Sequence, residues 1–106
     1  MTVDGAIAGV LVVHEAWLCG PYLKRLAVLP PFQRQGLAQA AIAWWEADAR
    51  QARASNLWLC VSDFNHAARQ FYEAAGFRQA GVLDDLVVDG LNEILMRKRL
   101  TAPILP

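Results

Sequence analysis

Charged side chains are scarce in this sequence, and the two signs of charge balance. They make up 19% of the 106 residues, ten basic against ten acidic, for a formal net charge of zero at pH 7. Binding to nucleic acid or to an anionic membrane relies on an excess of positive charge, so we expect neither as a partner. The run Arg97-Lys98-Arg99 does not change this expectation, because short basic runs are usually solvated.

Cysteine, histidine and long apolar runs are also in short supply. The cysteines, Cys19 and Cys60, and the histidines, His14 and His66, lack the close spacing of a metal or dithiol site. We therefore expect no metal, and two reduced thiols that are at least partly buried. The longest apolar run, residues 6–13, is shorter than the ~20 residues that span a bilayer, and no charged-then-apolar leader opens the sequence. These features favour a cytoplasmic protein.

The length of the chain predicts a single domain, and its apolar content predicts that part of the surface contacts a partner. The 106 residues suffice for one core, so we expect one domain over residues 1–106. Apolar residues make up 56% of the chain, more than the roughly half that is typical of soluble domains. Part of the apolar surface is therefore expected to be covered by a partner.

Residues 22–53 are the most informative part of the sequence. They indicate a strand, Tyr22 to Val28, that ends at Pro30-Pro31, then a short polar turn and a long amphipathic helix whose first turn holds Gly36 and Ala38. Apolar positions in this helix recur at steps of four and three, which predicts one buried face. They are Ala38, Ile42, Trp45, Ala49 and Ala52.

The opposite face of this helix is predicted to be exposed to solvent. It carries polar residues, among which Glu46 and Arg50 are spaced for a helix-surface ion pair. Trp44 lies beside the apolar stripe and is interpreted as boundary or contact surface. Gln39 and Arg53 complete the exposed face.

Shorter signals place the remaining elements. Asp4-Gly5 is a turn signature before an apolar strand over residues 6–16, and the run 57–61 is a continuous apolar strand typical of one covered on both faces. Asn65 is a good N-cap for a helix that runs through Ala75 and is closed by Gly76. The inner face of that helix is predicted to hold Ala68, Phe71, Tyr72 and Ala75.

The last part of the sequence indicates a hairpin and a tail. Strands are predicted over residues 78–88 and 91–100, joined by a tight turn at Asp89-Gly90. The proline-broken tail, residues 101–106, is expected to lie against another surface. The order of elements is strand, strand, helix, strand, helix, strand, strand, which predicts an α/β domain with a mixed sheet and helices packed on it.

A strand that leads into a helix through a turn with little side-chain bulk is suited to binding phosphate. The first amides of the helix have no intrahelical partner and carry the positive end of its dipole. Gly36 has no side chain to block an approaching phosphate, and Ala38 has a small one. Amides from about Arg34 to Ala38 can therefore face a pyrophosphate, although Gly36 could also serve only to ease the turn.

With these elements in place, the chain resembles the GNAT superfamily of N-acetyltransferases, which transfer acetyl from acetyl-CoA to an amine. The segment QRQGLA, residues 33–38, resembles the family's pyrophosphate loop, Q/R-x-x-G-x-G/A, and Val28 and Pro30 match its V-x-P strand end. Residues 65–77 resemble the family's N-x-x-A-x-x-x-Y-x-x-x-G-F. The resemblance covers roughly residues 6–100.

The resemblance implies acetyl-CoA as co-substrate and a set of binding residues. In the family, the pantetheine arm lies where two parallel strands splay apart, which here are the strands around residues 26–28 and 59–61. Asn65 is implied as a cofactor contact in addition to its N-cap role. The implied cofactor-binding residues are Leu26, Ala27, Val28, Gln33, Arg34, Gln35, Gly36, Leu37, Ala38 and Asn65.

The resemblance assigns the general acid but leaves the base open. Tyr72 is implied as the acid that protonates the departing coenzyme A thiolate; the alternative is a core aromatic residue with its hydroxyl hydrogen-bonded. Many family members use a glutamate early in the V-x-P strand as base, and Tyr22 holds that place here. Asp63, Glu15 or a chain of waters remain as candidates.

The sequence departs from the family at its N-terminus. Family members begin with a strand, two helices and a further strand before the hairpin found here at Asp4-Gly5, and those helices build much of the acceptor pocket. The exposed edge of the first strand favours pairing with a second copy, so we expect a homodimer or higher oligomer. Two functions stay open: an N-acetyltransferase for an unidentified amine, or a non-catalytic acyl-CoA-binding or assembly module that has lost the acceptor site.

Overall fold

The computed structural model describes residues 1–15 and 17–100, so the predicted tail contact of residues 101–106 lies outside the described residues. Two helices and seven strands are present in the described part. They are β1 (Thr2–Val3), β2 (Ala6–Ile7), β3 (Gly9–His14), β4 (Tyr22–Val28), α1 (Leu37–Gln51), β5 (Asn56–Ser62), α2 (His66–Ala74), β6 (Arg78–Asp84) and β7 (Asn92–Arg99), with a 3₁₀ turn over Pro30–Phe32 between β4 and α1.

The main sheet has five strands in the order β3-β4-β5-β7-β6. Its only parallel pair is β4 with β5, and the other neighbours are antiparallel. The crossover between these parallel strands is α1, as a parallel connection requires. The prediction of an α/β domain with a mixed sheet is confirmed, and β3 lies at an edge of the sheet.

Both helices pack on the same face of the sheet. Trp45 of α1 is 1% exposed and stacks at 6.2 Å on Phe77, which is fully buried. The helix-covered core also includes Leu23, Ile42, Ala49, Leu57, Leu59, Val61, Ile94, Met96 and Leu100. Because side chains alternate along a strand, the residues between these positions lie on the opposite face, which neither α1 nor α2 covers. We call this second face the open face.

The predicted faces of the helices are largely confirmed. In the apolar stripe of α1, Ile42, Trp45 and Ala49 are buried, Ala38 is partly buried, and Ala52 is the exposed C-cap residue. Trp44 beside the stripe is 60% exposed. Glu46 is less exposed than predicted, because in addition to its pair with Arg50 at 3.2 Å it reaches Lys98 on β7. The inner face of α2 packs against the core as predicted.

The N-terminal hairpin forms, but the strand after it is broken. Asp4 and Gly5 have φ of 50° and 82°, both in the left-handed region, and Thr2 pairs with Ile7. The predicted strand over residues 6–16 instead splits at Ala8 and ends at His14. The Ala8 amide donates to Met1 O at 2.9 Å, and its carbonyl accepts from Leu29 at 2.7 Å, so Ala8 passes from one sheet to the other.

The predicted tight turn at Asp89-Gly90 forms, since the Leu91 amide donates to Val88 O at 3.1 Å, but it does not join the two strands directly as predicted. The strands end and begin at Asp84 and Asn92, and residues 85–91 form a wider connection. Asp85, with φ of 54°, turns the chain out of β6, and its carboxylate accepts from the Gly90 amide at 2.6 Å. The side-chain hydrogen bond of Asp85 therefore closes the loop early.

The prediction that both cysteines are buried is wrong for Cys19. Its thiol is exposed, whereas Cys60 is partly buried, and both are free. Cys19 lies in a tight turn with φ of 53°, where its amide donates to Trp17 O at 3.0 Å. A turn that bends the backbone this sharply points the side chain away from the core.

Candidate active site

The N-terminus of α1 presents free amides to solvent. Gly36 is the N-cap with φ of 76° and has no side chain to cap the helix, and the first turn contains no acidic residue. The helix begins at Leu37, so the prediction that Gly36 lies in its first turn is shifted by one residue. The Ala40 amide is the first to bond within the helix, to Gly36 O at 3.0 Å, which leaves the amides of Leu37, Ala38 and Gln39 without helical acceptors.

The loop before α1 is held by its own glutamines. Gln33 donates from Nε2 to Val28 O at 3.0 Å, and Gln35 donates to Pro31 O at 3.3 Å. Arg34 between them has φ of 63° and an exposed side chain. The two glutamine side chains are therefore used in shaping the loop, while the guanidinium of Arg34 is left to meet a ligand.

A pocket of about 370 Å³ opens in front of these amides. Six of the predicted cofactor residues line it, and no acidic residue does; a Cβ at Gly36 would meet no atom within 4 Å, so its approach is open. Helix-end amides, a positive dipole and a guanidinium suit a phosphate. The six are Val28, Gln33, Arg34, Gly36, Leu37 and Ala38.

The strands β4 and β5 pair over only two positions. Tyr22 pairs with Trp58 and Leu23 with Leu59, and beyond these the two strands separate. On its other side β4 stays paired with β3 as far as Val28. The predicted gap between two parallel strands is present, at the end of the sheet where α1 begins.

Backbone groups of β4 line this gap at alternate residues. The Leu29 amide bonds to Ala8 O at 2.7 Å. Since backbone polar groups alternate sides along a strand, those of Ala27 are also directed towards β3, while those of Leu26 and Val28 are directed towards the gap. The Val28 carbonyl is the acceptor of Gln33, so its amide and both groups of Leu26 are the donors and acceptors open to a ligand.

Asn65 is the N-cap of α2, and Tyr72 lies within α2 and packs against the core on the helix side of the sheet. The Asn65 Oδ1 accepts from the Ala68 amide at 3.1 Å, so the N-cap prediction is confirmed and its Nδ2 group is the part left for a ligand. Tyr72 packs edge-on to Phe71 and Phe77 at 5.2 and 5.9 Å. Burial raises the pKa of Tyr72, and neither a hydrogen bond nor a charge contributes to the shift.

A second group of polar side chains lies on the open face of the same strands. Burial raises the pKa of Tyr22, and a hydrogen bond from its hydroxyl to the Cys60 thiol and the charge of Glu93 raise it further. Burial likewise raises the pKa of the Cys60 thiol. The phenol and the thiol are therefore both neutral at pH 7. The sequence singles out Tyr22 but does not place Cys60 and Glu93 near it, because these residues meet only through the pairing of β5 with β7.

A larger pocket, of about 420 Å³, lies between α1 and α2 but suits an anion poorly. The carboxylate of Glu46 lines it beside Arg50 and Lys98, which both pair with Glu46. The pocket at the start of α1, which the sequence predicted, is therefore better suited to phosphate than the somewhat larger pocket between the helices. In the described part of the chain, no group of three potential metal ligands comes together, and no helix is both long and apolar enough to cross a bilayer.

Comparison with known proteins places this site in a family. The model of the acetyltransferase (GNAT) family matches residues 1–77, which include the loop before α1, the gap between β4 and β5, and all of α2. The chain belongs to the GNAT family. The matched region ends at Phe77, the last residue of the second motif.

Two N-acetyltransferases are similar to this chain in sequence. The [ribosomal protein bS18]-alanine N-acetyltransferase of Escherichia coli strain K12 is 32% identical over 82 residues, which are 77% of this chain and 55% of that protein. The aminoalkylphosphonate N-acetyltransferase of Salmonella typhimurium is 33% identical over 67 residues, 63% of this chain and 42% of that protein. This GNAT chain thus spans about half the length of the curated relatives it matches.

Solved structures share the fold. The ribosomal-protein-S18-alanine N-acetyltransferase from Escherichia coli matches with a TM-score of 0.84 at 26% identity, covering 99% of this chain and 70% of that one. A GNAT family acetyltransferase from Elizabethkingia anophelis, with acetyl-CoA bound, matches with a TM-score of 0.85 at 18% identity, covering 93% and 72%. The second likeness is one of fold alone.

Proposed function

We propose that this GNAT protein is an N-acetyltransferase that moves acetyl from acetyl-CoA to an amine by direct attack. The observation that carries the proposal is the pocket at the start of α1, where free amides, a glycine N-cap and an arginine meet with no acidic residue among them. Family membership and the acetyl-CoA bound to a relative of the same fold support it.

The cofactor has a natural path across this site. Its diphosphate accepts hydrogen bonds from the amides of Leu37, Ala38 and Gln39, and Arg34 adds a charge-assisted contact. The pantetheine arm enters the gap between β4 and β5 and pairs with the open backbone groups of Leu26 and Val28. Gln33, Gln35 and Asn65 complete the proposed set, the glutamines by holding the loop in shape and Asn65 through its free amide. Ala27 leaves the set implied by sequence, because its backbone groups are directed towards β3.

Tyr72 is the proposed general acid. When the amine attacks the thioester carbon, the C–S bond breaks and the sulfur of coenzyme A needs a proton. Burial keeps the phenol of Tyr72 protonated at neutral pH. Because a phenol is a weaker acid than a thiol of pKa near ~8.5, the proton is transferred in concert with C–S cleavage rather than after it.

A thiol-release assay across a panel of amines tests the function. The panel should contain aminoalkylphosphonates and a peptide with N-terminal alanine, because the named relatives act on such amines, together with polyamines and lysine peptides. Release of thiol in step with acetylated amine supports the enzyme. Tight binding of acetyl-CoA without release for any amine would instead favour the non-catalytic acyl-CoA-binding module.

We also propose that the protein forms a homodimer or higher oligomer through the β3 edge. No described strand pairs with the outer edge of β3 in the five-stranded sheet, and Val10 and Val12 on it are exposed. Bare apolar edges invite pairing with another strand. Sedimentation at micromolar concentration should give a dimer or larger species, and a Val12→Lys variant should shift it towards the monomer. A monomer in the unmodified protein would contradict this proposal.

A further inference from the structure

Acetyl transfer to an alkyl amine needs a group that removes a proton from the amine. With a pKa near ~10.4, roughly one amine molecule in 2,500 is uncharged at pH 7. The neutral phenol of Tyr22 holds the strand position where a base was expected. Another side chain or a chain of waters must therefore accept the proton.

One carboxylate lies on the open face next to this position. Ser62 ends β5 and pairs with Glu93 on β7. The Ser62 hydroxyl donates to Glu93 Oε1 at 3.0 Å, and both side chains are partly buried. The neighbouring core residues Val61 and Ile94 face the helices, so the alternation of both strands directs the Ser62–Glu93 pair to the open face.

The surroundings of Glu93 leave its charge uncompensated. Among the residues that the structure describes, the ion pairs are those of Glu46, and none involves Glu93. The titratable groups that face it are the Tyr22 phenol on β4 and the Cys60 thiol on β5, and its charge contributes to the raised pKa of both. On β6 the residue opposite is the apolar Leu83. A carboxylate without a cationic partner is available to an incoming ammonium group.

The remaining carboxylates nearby are placed differently. Asp63 lies in the turn that follows β5, and its backbone amide donates to Asn92 O at 3.0 Å. Asp84 is opposite Asn92 and exposed, one residue beyond the Leu83 position. Alternation along β6 therefore directs Asp84 to the other face of the sheet from Glu93.

Glu93 and Tyr72 lie on opposite faces of the sheet. Ser62 is the last residue of β5, at the end of the sheet where β4 and β5 have separated. Tyr72 packs against the core on the helix side, whereas Glu93 is on the open face. If the thioester lies in the gap, the amine can approach its carbonyl carbon from the open face while the Tyr72 hydroxyl approaches its sulfur from the helix side.

We propose that Glu93, oriented by Ser62, is the base that deprotonates the acceptor amine. The inference rests on the proposed acetyl transfer. The carboxylate takes one proton from the ammonium, and the freed lone pair forms the C–N bond as the C–S bond breaks. Tyr72 gives its proton to the sulfur and regains one as the new amide nitrogen loses its second proton. Glu93 then releases its proton to water.

The test compares Glu93→Gln with the unmodified protein over pH 6 to ~10, using the best amine of the panel. At pH 7, kcat/KM should fall by about 100-fold, within the range for general base catalysis, while the Kd for acetyl-CoA stays within twofold. The deficit should shrink about tenfold per pH unit as the free amine becomes abundant. Glu93→Asp should restore part of the rate, and Ser62→Ala should lower kcat more than it changes KM.

Asp84→Asn is the matched control, because it removes a neighbouring carboxylate on the other face, and it should leave the profile unchanged. A Glu93→Gln protein with the rate and profile of the unmodified one would overturn this inference alone. So would a loss of equal size at every pH, which would indicate a structural role. If the unmodified protein acetylates no amine, the proposed function fails and this inference fails with it.

Discussion

Leu23 and Leu59 form the last backbone pair between β4 and β5, and the strands separate beyond them. Because β3 continues to hold β4 as far as Val28, the separation comes from β4 and β5 turning apart and not from fraying of β4. It leaves backbone groups of Leu26 and Val28 without a strand partner. A linear ligand with amide groups, such as pantetheine, can fill that role.

The gap predicts how affinity is distributed along the cofactor. Coenzyme A should bind at least about tenfold more tightly than 3′-phosphoadenosine 5′-diphosphate, which keeps the diphosphate and lacks the arm, because the arm adds about two net hydrogen bonds of roughly 1 kcal/mol each. Calorimetric titration of both ligands measures the ratio. Equal affinities would mean that the arm does not occupy the gap.

Replacing Tyr72 by Phe should slow catalysis and spare binding. The ring contacts with Phe71 and Phe77 are kept, so stability should change by less than about 1 kcal/mol. Loss of the proton donor should lower kcat by at least about 100-fold, the low end of general acid effects, with an unchanged Kd for acetyl-CoA. Steady-state assays and calorimetry check both. An unchanged kcat would mean that Tyr72 is a core aromatic residue and not the general acid.

The Glu46 ion pairs should stabilise the fold in a pH-dependent way. Burial alone would raise the pKa of Glu46, but its hydrogen bonds and ion pairs with Lys98 and Arg50 outweigh burial and lower it. A lowered pKa in the folded state gives stability that is present above the model value of 4.5 and is lost as pH falls through the folded-state pKa. Lys98 also donates to Ala75 O at 2.8 Å, so the cluster joins β7 to both helices.

Glu46→Gln should therefore lower the free energy of unfolding by about 1 kcal/mol at pH 7. The difference from the unmodified protein should vanish as pH falls through the lowered folded-state pKa of Glu46. Urea unfolding at several pH values measures it. Asp48→Asn, an exposed change two residues along α1, is the control and should have no effect at any of these pH values. A penalty that persists in acid would mean that packing, and not charge, is lost.

Adjacent tryptophans on α1 should differ sharply in their contribution to stability. Trp45 is 1% exposed and stacked on Phe77, whereas Trp44 is 60% exposed. Trp45→Ala should cost about 3–5 kcal/mol of unfolding free energy, and Trp44→Ala less than about 1. Denaturant unfolding compares the two. Similar losses would contradict the packing of α1 described above, or show that Trp44 is covered in an oligomer.

Periodicity and turn chemistry were enough to predict most of the fold. The steps of four and three in α1 predicted the buried positions of Ile42, Trp45 and Ala49, and Asn65 predicted the start of α2. The turn at Asp89-Gly90 forms, but the predicted strands do not reach it, because the chain turns out of β6 at Asp85, whose side chain bonds to Gly90. A side-chain hydrogen bond of that kind depends on loop geometry that a sequence pattern does not encode.

The pocket at the start of α1 could be predicted from sequence, whereas the open-face cluster could not. The residues of the pocket are consecutive, and a glycine at a helix start carries a local signal. Ser62 and Glu93 are 31 positions apart and meet only through the register between β5 and β7. A shift of one residue in that register would turn Glu93 to the helix side, so no local pattern identifies it.

The most direct test of the account is a calorimetric titration of acetyl-CoA into the unmodified protein, Gly36→Asp and Gly90→Asp. Both glycines have left-handed φ, 76° and 85°, and open space around the missing Cβ, so the backbone strain is matched. Only at position 36 would the new carboxylate compete with diphosphate for the α1 amides. We predict binding to the unmodified protein and to Gly90→Asp, and a loss of at least about tenfold in Gly36→Asp. Equal binding by all three, or no binding by the unmodified protein, would contradict the account.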